Sequence, residues 1–375
     1  MTSAPKLRIG SLIVDLPVVL APMAGVTNAP FRRLCREFGA GLYVSEMIGA
    51  RGLVEGDEKT LALAAFDDDE RPRSIQLYGT DPGSLGEAVR RLVEVDQVDH
   101  IDMNFGCPMG KVTRHGGGAA LPWKRDLFRS IVRAAVENAG SVPVTVKFRK
   151  GIDDDPLAFI EPCVTAADEG PAAVALHART ARQLYSGAAD WEAIRALKEA
   201  VTTVPVLGNG DIWTADDAVR MMETTGCDGV VVGRGCLGRP WLFRDLADKL
   251  SGRDPRPAPD LGQVALIMIA HAQLLADRFG EGIGVSLFRK HTAWYLKGFP
   301  VGPSLRDRFA RVLSLDEVVT LTGLLDPAVP FPRGAERMVR GHSHGPRPVR
   351  LPHGFLDHRD GDSLGRESEQ LTGGG

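Results

Sequence analysis

VPVLGNGD (204–211) and GVVVGRG (229–235) are short apolar runs that end in glycine and a charged side chain, with the amphipathic stretch ADDAVRMMETTG (215–226) between them. Runs of this length and continuity suit strands buried on both faces, as in a parallel sheet. The same unit recurs towards the N-terminus, in VVLAPMAG (18–25), GLYVSEM (41–47), RSIQLYG (73–79), HIDMNFG (100–106), VPVTVKF (142–148) and AAVALHA (172–178). Helical periodicity fills the intervals, for example LGEAVRRLVEV (85–95) and LFRSIVRAAVENAG (127–140), and Gly140 and Gly226 stand where helix C-terminal glycines belong. Eight strand–helix alternations predict an α/β chain folded as a (β/α)8 TIM barrel over residues 1–250. The rival is a doubly wound open sheet, and it is disfavoured because no GxGxxG follows the first strand.

The pattern changes after Trp241. SGRDPRPAPD (251–260) is a proline-rich, charged linker. Beyond it, LGQVALIMIAHAQLLADRFG (261–280), VSLFRKHTAWYLKG (285–298) and LRDRFARVLS (305–314) read as amphipathic helices. A C-terminal helical-bundle domain is therefore expected over 251–330. Residues 331–375 are rich in Arg, Gly, His and Pro and poor in apolar residues, so a disordered tail is expected there.

The 375 residues are 43% hydrophobic and 25% charged, ordinary for a globular protein with a sizeable core. A formal net charge of −3 announces no nucleic-acid binder, although a local basic face binds phosphate while the total stays near neutral. The five cysteines, at positions 35, 107, 163, 227 and 236, form neither a CxxC pair nor a zinc-ligand spacing, and their number is odd. A disulfide framework is thereby disfavoured and a reducing cytoplasm expected. The opening residues lack a signal-like apolar stretch, and no apolar run is long enough for a bilayer, so the expectation is a soluble, cytoplasmic protein without a membrane partner. A monomer without a metal ion is expected.

In a barrel the reactive groups gather at the C-terminal ends of the strands. Those ends carry Pro22, Met23 and Ala24 on the first strand, Gln76 on the third, Asn104 and then Cys107 on the fourth, Lys147 and Arg149 on the fifth, and His177 and Arg179 on the sixth. The seventh gives Asn209, Gly210 and Asp211, and the eighth Gly233 and Arg234. GNGD and GRG, on the last two strands, offer exposed backbone N–H groups beside an arginine, which suits a phosphate. The bland alternative is a pair of tight turns. A phosphate anchor sharing a mouth with Lys147 and His177 suggests a flavin: a lysine ammonium stabilises the negative charge of a reduced flavin near N1 and O2, and the Gln76 amide both donates to and accepts from its pyrimidine edge. For Lys147 the competing account is an ion pair with a strand-end carboxylate such as Asp102, and for His177 a satisfied core histidine. Cys107 lies in the polar, glycine-flanked loop NFGCPMGK, not in the apolar setting of a packing cysteine, and Lys111 and Arg114 stand near enough in sequence to lower its pKa.

Several of these motifs, in this order, resemble those of the tRNA-dihydrouridine synthase family, the bacterial DusB branch in particular. They are LAPMAGVTNAPFRRLCREFGAGLYVSEM, QLYGTDP, IDMNFGCP, VTVKFRKG, LHARTARQLYSGAADW, VLGNGDI and GVVVGRGCLGRPWLF, and the match covers residues 16–323. The resemblance implies an FMN-binding barrel followed by a helical tRNA-binding domain. It implies reduction of specific tRNA uridines to 5,6-dihydrouridine, with hydride passing from FMN to C6 and a proton from Cys107 to C5, and NADPH or NADH as reductant. It assigns FMN binding to Pro22, Met23, Ala24, Gln76, Lys147, His177, Asn209, Gly210, Asp211, Gly233 and Arg234. It assigns the target uracil to Asn104, Arg179 and Tyr185. FRKHTAWYLKG resembles the family's RNA-facing helix, which makes Arg289, Lys290, His291 and Lys297 candidate tRNA contacts. GKVTRHGGGAALP after the cysteine and HARTARQ depart from the usual pattern, and the tail beyond Phe331 has no counterpart in it. The competing function is an FMN barrel that reduces a small molecule, in the manner of a dihydroorotate dehydrogenase or an ene-reductase. A small substrate, however, gives no reason for the helical domain.

Overall fold

Strict alternation decides what each barrel strand buries. The computed structural model describes residues 6–153, 159–341 and 345–361. A hairpin of β1 (Leu7–Ile9) and β2 (Leu12–Val14) precedes eight parallel strands: β3 (Val18–Leu20), β4 (Leu42–Gly49), β5 (Ser74–Tyr78), β6 (His100–Phe105), β7 (Val144–Arg149), β8 (Ala173–His177), β9 (Val206–Asn209) and β10 (Gly229–Val232). They close in sequence order, with β10 paired to β3, into a barrel. All eight expected strands are present, and helices connect them as expected. Gly226 ends the Ala215–Thr225 helix at φ +71, with its N–H on Met222 O.

Along each strand one set of side chains points out to the helices, and the set offset by one residue points in. The outward set, which includes Val18, Leu20, Ile75, Leu77, Ile101, Met103, Val146, Phe148, Val174, Leu176, Val230 and Val232, is buried in the main core beneath the helices. The inward set is split. Val19, Leu42, Val44, Ala173, Ala175, Leu207 and Val231 form an apolar side, and the hairpin residues Leu7, Ile9 and Val14 pack into it. Sequence reading missed this hairpin. Gly10 lies at its turn, close to Pro143 and Ala172, at the N-terminal ends of β7 and β8, so the hairpin stops the lower end of the barrel. The other side, on β5 to β7, is polar: Ser74, Gln76, His100, Asp102, Asn104 and Thr145 are all buried.

A second core, built from Leu261, Val264, Met268, Leu275, Val285, Phe288, Phe309, Val318 and Leu321 together with Trp241, lies among the helices Leu261–Phe279, Glu281–Tyr295, Pro303–Ala310 and Leu315–Thr322. The last of these helices was not foreseen. Residues 251–260 join the two cores without regular structure, apart from a turn at the start. The two units meet closely. A Cβ on Gly238, which has φ +63, would stand 2.2 Å from the backbone carbon of Trp294 and 2.4 Å from Tyr295 N.

The expectation of disorder beyond Phe331 is corrected over the described part of that segment. Ala335, Arg340 and Phe355 are buried, Arg337 pairs with Asp217 at 3.1 Å, and Arg359 pairs with Glu161 at 2.9 Å. The physical reason is that a few long-range contacts order a chain too poor in apolar residues to fold alone. Residues 342–344 and 362–375 of the expected tail lie outside the described residues. Among the described residues no helix is long and apolar enough to cross a membrane.

The contact at Gly238 gives a test. Gly238→Ala adds a methyl group where backbone stands and forces an L-residue to a left-handed φ, so a loss of about 2–5 kcal/mol is expected from overpacking and strain together. Gly252 has φ +72 with nothing within 4 Å of its Cβ position, so Gly252→Ala should cost only about 1 kcal/mol. Urea unfolding of the two variants measures the difference, and equal midpoints would show that the close approach carries no energy.

Candidate active site

The polar side of the barrel interior is one hydrogen-bonded spine, and its direction can be worked out. Burial drives the His100 pKa down to about 3, so the ring is neutral. Thr145 Oγ1 donates its only proton to Asp102 Oδ1 at 2.6 Å, so it accepts from His100 Nε2 at 2.9 Å. His100 Nδ1 then accepts from Ser74 Oγ at 2.7 Å. The other oxygen of Asp102 accepts from Gln76 Nε2 at 2.7 Å, which turns Gln76 Oε1 towards Asn104 Nδ2 at 2.9 Å. Asn104 Oδ1 is thereby free to accept from the backbone N–H groups of Gly106 (3.0 Å) and Cys107 (2.9 Å). A carboxylate deep in the barrel thus fixes the loop that carries the thiol.

Register brings the next groups together. Asn104 pairs with Lys147 across β6 and β7, Arg149 with His177 across β7 and β8, and His177 with Asn209 across β8 and β9. These side chains line one cavity of about 560 Å³, within the usual ligand-site range of roughly 300–1,000 Å³. Every residue expected to bind FMN or the uracil lines it, and so does Cys107. Lys147 Nζ donates to Asn209 Oδ1 at 3.0 Å; the alternative of a direct ion pair with Asp102 is not what forms.

The cavity is cationic. Lys147, Arg149, Arg179 and Arg234 border it. Burial, with Arg149 adding to it, lowers Lys147 to about 8, and burial lowers Arg149 to about 10. His177 is pushed far below its ordinary value by burial and then by the four cations, so it is a neutral ring. Asp211 answers part of the charge: both its oxygens accept from Arg179 Nη2 at 2.7 Å, and Arg234 lies 3.6 Å away. Arg179 also donates to Ser186 O and Gly187 O, while its buried Nη1 has no partner among the described residues. Gly210, at φ +133, packs so closely that a Cβ would come 2.7 Å from Ala189 Cβ. Tyr185 stands at the rim, with the guanidinium of Arg234 4.6 Å and that of Arg149 5.4 Å from its ring centre.

Cys107 is half-buried, and the other four cysteines are fully buried. Burial raises the Cys107 thiol above its ordinary pKa, against the smaller lowering effects of the Met109 backbone, Arg149 and Lys111. Arg114, expected to act on the thiol, instead turns its Nε to His115 Nε2.

The four candidates on the Glu281–Tyr295 helix and just after it separate. Lys290 donates to Gly25 O in the loop after the first barrel strand and lines the cavity. Arg289 Nε is spent on Val312 O at 2.8 Å. His291 is a correction: it is fully buried beside Phe31, His271 and Trp294, so it cannot touch RNA. The helix face that carries it, with Phe288 and Tyr295, is the one that packs. Lys297 is half-buried two residues past the helix. Sequence reading missed Met47, Trp213 and Trp294 as lining residues. Trp294, one turn after Lys290, was legible as the same helix face.

A closed barrel with a large cavity at the strand C-termini defines the class: a (β/α)8-barrel protein with a cavity in its mouth. The chain belongs to the dihydrouridine synthase (Dus) family, whose pattern matches residues 19–326. It is 51% identical over 381 residues to the probable tRNA-dihydrouridine synthase of Mycobacterium tuberculosis H37Rv, covering 99% of this chain and 98% of that one. It is 40% identical over 309 residues to tRNA-dihydrouridine synthase B of Pseudomonas aeruginosa, covering 82% and 92%. Among solved structures, histamine dehydrogenase from Rhizobium sp. 4-9 shares the fold at 12% identity with a TM-score of 0.55, over 87% of this chain and 65% of that one.

The raised thiol gives a prediction. In the folded protein iodoacetamide should modify Cys107 alone, slowly at pH 7.5, with a rate that climbs past pH 9 as the thiolate forms. Mass spectrometry of timed digests reads this. A rate already at its plateau near neutral pH would mean that Lys111 and Arg149 outweigh burial.

Proposed function

We propose that this chain reduces a uridine of transfer RNA to 5,6-dihydrouridine, with flavin mononucleotide in the barrel mouth, NADPH or NADH as reductant, and Cys107 as the proton donor. The observation that carries the proposal is a thiol kept protonated by burial while it shares one cavity with an arc of four cations. The family and the names of its members supply the substrate class.

The residues present fit a flavin. Arg234, the unpartnered Nη1 of Arg179 and the backbone at Gly210, Asp211 and Gly233 suit a phosphate. Met23 and the Pro22–Ala24 turn supply apolar wall, and Gln76 keeps one donor and one acceptor position beyond those used by Asp102 and Asn104. An anion beside Lys147 reverses the strain that lowers its pKa, so the ammonium is poised for a ligand that gains negative charge on reduction. Bound flavin supplies hydride chemistry for the uracil C6.

The chain's own part is the proton. Uracil C5 needs one once C6 has been reduced, and a neutral thiol supplies it whereas a thiolate cannot. Cys107 Sγ holds that proton at neutral pH, and Asn104, fixed through Gln76 by Asp102, holds the backbone on which the thiol sits. The thiolate left behind recovers its proton from solvent. Tyr185 and Asn104 border the space a base must enter, and Lys290 and Trp294 of the helical unit also line it. A base that enters must leave its stack, at a cost of about a few kcal/mol, which contacts to the RNA backbone offset.

The small-molecule alternative is not favoured, since family and relatives point to tRNA. The purified protein should be yellow. With NADPH it should form dihydrouridine in tRNA lacking the modification, and leave orotate and simple enones unreduced. Cys107→Ala should retain flavin and tRNA while dihydrouridine formation falls about 10²- to 10⁴-fold, the usual worth of a positioned acid. Nucleoside analysis by mass spectrometry decides both points. Undiminished product from the alanine variant refutes the acid role, and reduction of orotate in place of tRNA refutes the substrate.

A further inference from the structure

We propose that the C-terminal stretches 335–341 and 345–361 form a fixed strap that carries a second RNA-contact surface, with Arg347 and Arg350 holding backbone phosphates beside the catalytic loop. This rests on the tRNA reading above. The matched family region ends at residue 326, before the strap begins, whereas similarity to the mycobacterial relative covers 99% of this chain.

The strap is anchored on both sides of the barrel mouth. On one side Arg337 pairs with Asp217, and Gly341 lines the cavity. On the other, Phe355 is buried and Arg359 lies over the Trp123 ring at 4.5 Å while pairing with Glu161. Between these anchors Arg347 N donates to Arg182 O at 2.9 Å, in the loop after β8. The side chain of Arg350 runs against Gly110, three residues beyond Cys107: a Cβ on that glycine would stand 3.1 Å from Arg350 Cδ.

Between the strap's ends, where Glu336, Asp357 and Asp360 stand, the charge is one-sided. From 337 to 356 the sequence carries Arg337, Arg340, Arg347 and Arg350 and no Asp or Glu. Arg337 and Arg340 are spent on protein partners. Arg347 and Arg350 are exposed, and among the described residues neither guanidinium has a hydrogen-bond or ion-pair partner. Lys111 and Arg182, also exposed, extend the same cationic rim. Unpaired guanidiniums on a backbone already held in place bind phosphate with little further loss of entropy. Prolines at 346, 348 and 352 restrict that backbone further. An RNA strand offers a matching row of phosphates at the mouth its base must enter.

The test uses the full chain with flavin bound. Filter binding of an unmodified tRNA transcript, over a range of salt, compares the wild type with Arg347→Glu/Arg350→Glu and Arg347→Lys/Arg350→Lys; thermal midpoints confirm that all three fold. The glutamate pair should weaken binding about tenfold or more at 100 mM salt and flatten the slope of log Kd against log salt by about 1.5, as two lost phosphate contacts require, while the lysine pair stays within about threefold of wild type. Unchanged affinity and slope in the glutamate pair overturn the proposal. So does a weakened response to NADPH with tRNA affinity intact, which would make the arginines part of a reductant site. Dihydrouridine formation by the wild type is measured in parallel. Salt-dependent tRNA binding without that product would defeat the proposed reaction and leave the strap standing.

Discussion

A carboxylate inside a barrel is costly, and the site is organised around this one. Asp102 is fully enclosed, and burial raises its pKa to about 6 even though Thr145 and Gln76 both donate to it. A raised carboxyl pKa means that the folded state favours the protonated form, so the stabilising contribution is complete at low pH and is lost as pH rises through about 6. Lys147 has the opposite sign: its lowered pKa of about 8 favours the neutral amine in the folded state, and that contribution is lost as pH falls through about 8. Between the two values both groups are charged. The barrel interior is therefore least at ease in the neutral range. There Asp102 as an acceptor orients Gln76 and Asn104, and Lys147 as a cation faces the cavity. Stability is given up for a polarised spine, and a bound anion restores part of it.

The spine is affordable because the rest of the interior is not polar. β8, β9, β10, β3 and β4 present alanine, valine and leucine inward, and the N-terminal hairpin packs Leu7, Ile9 and Val14 among them. The lower end is closed to water by apolar side chains, and the polar groups of β5 to β7 find one another in the space that remains. At Cys107, in the mouth, burial raises the thiol pKa against the smaller lowering effects of Arg149 and Lys111. At an effective dielectric near 20, charges several ångströms apart interact by about 2–4 kcal/mol, so a modest desolvation is enough to decide the balance.

The barrel strands were legible because their signal is local: a run of apolar residues followed by a glycine turn carries its meaning within eight residues. The cavity residues followed from them, since strand ends of a closed parallel barrel share one mouth. What the sequence hid depends on distant partners. β1 and β2 are three residues each, too short to announce themselves, and they exist because Gly10 seats against Pro143 and Ala172. His291 has the composition of an RNA-facing residue, yet which face of its helix packs is settled by Phe31 and His271. The order of the residues past Phe331 rests on Trp123, Glu161 and Asp217, none closer than 120 residues in sequence, which no local pattern can show.

The helical unit is part of the site itself. Gly25, in the loop after the first barrel strand, is held from two directions: its N–H donates to Glu46 Oε2 at 2.7 Å, and its carbonyl accepts from Lys290. Gly238 brings the barrel against the backbone of Trp294 and Tyr295. The distance between the helix that carries Lys290 and the strand end that carries Met23 is thereby set by backbone packing, which is stiff, and not by long side chains, which are not. A substrate must bring a part narrow enough to enter and a remainder that lies across the rim, where Lys290 and Tyr185 stand; a single base on a folded RNA has that shape.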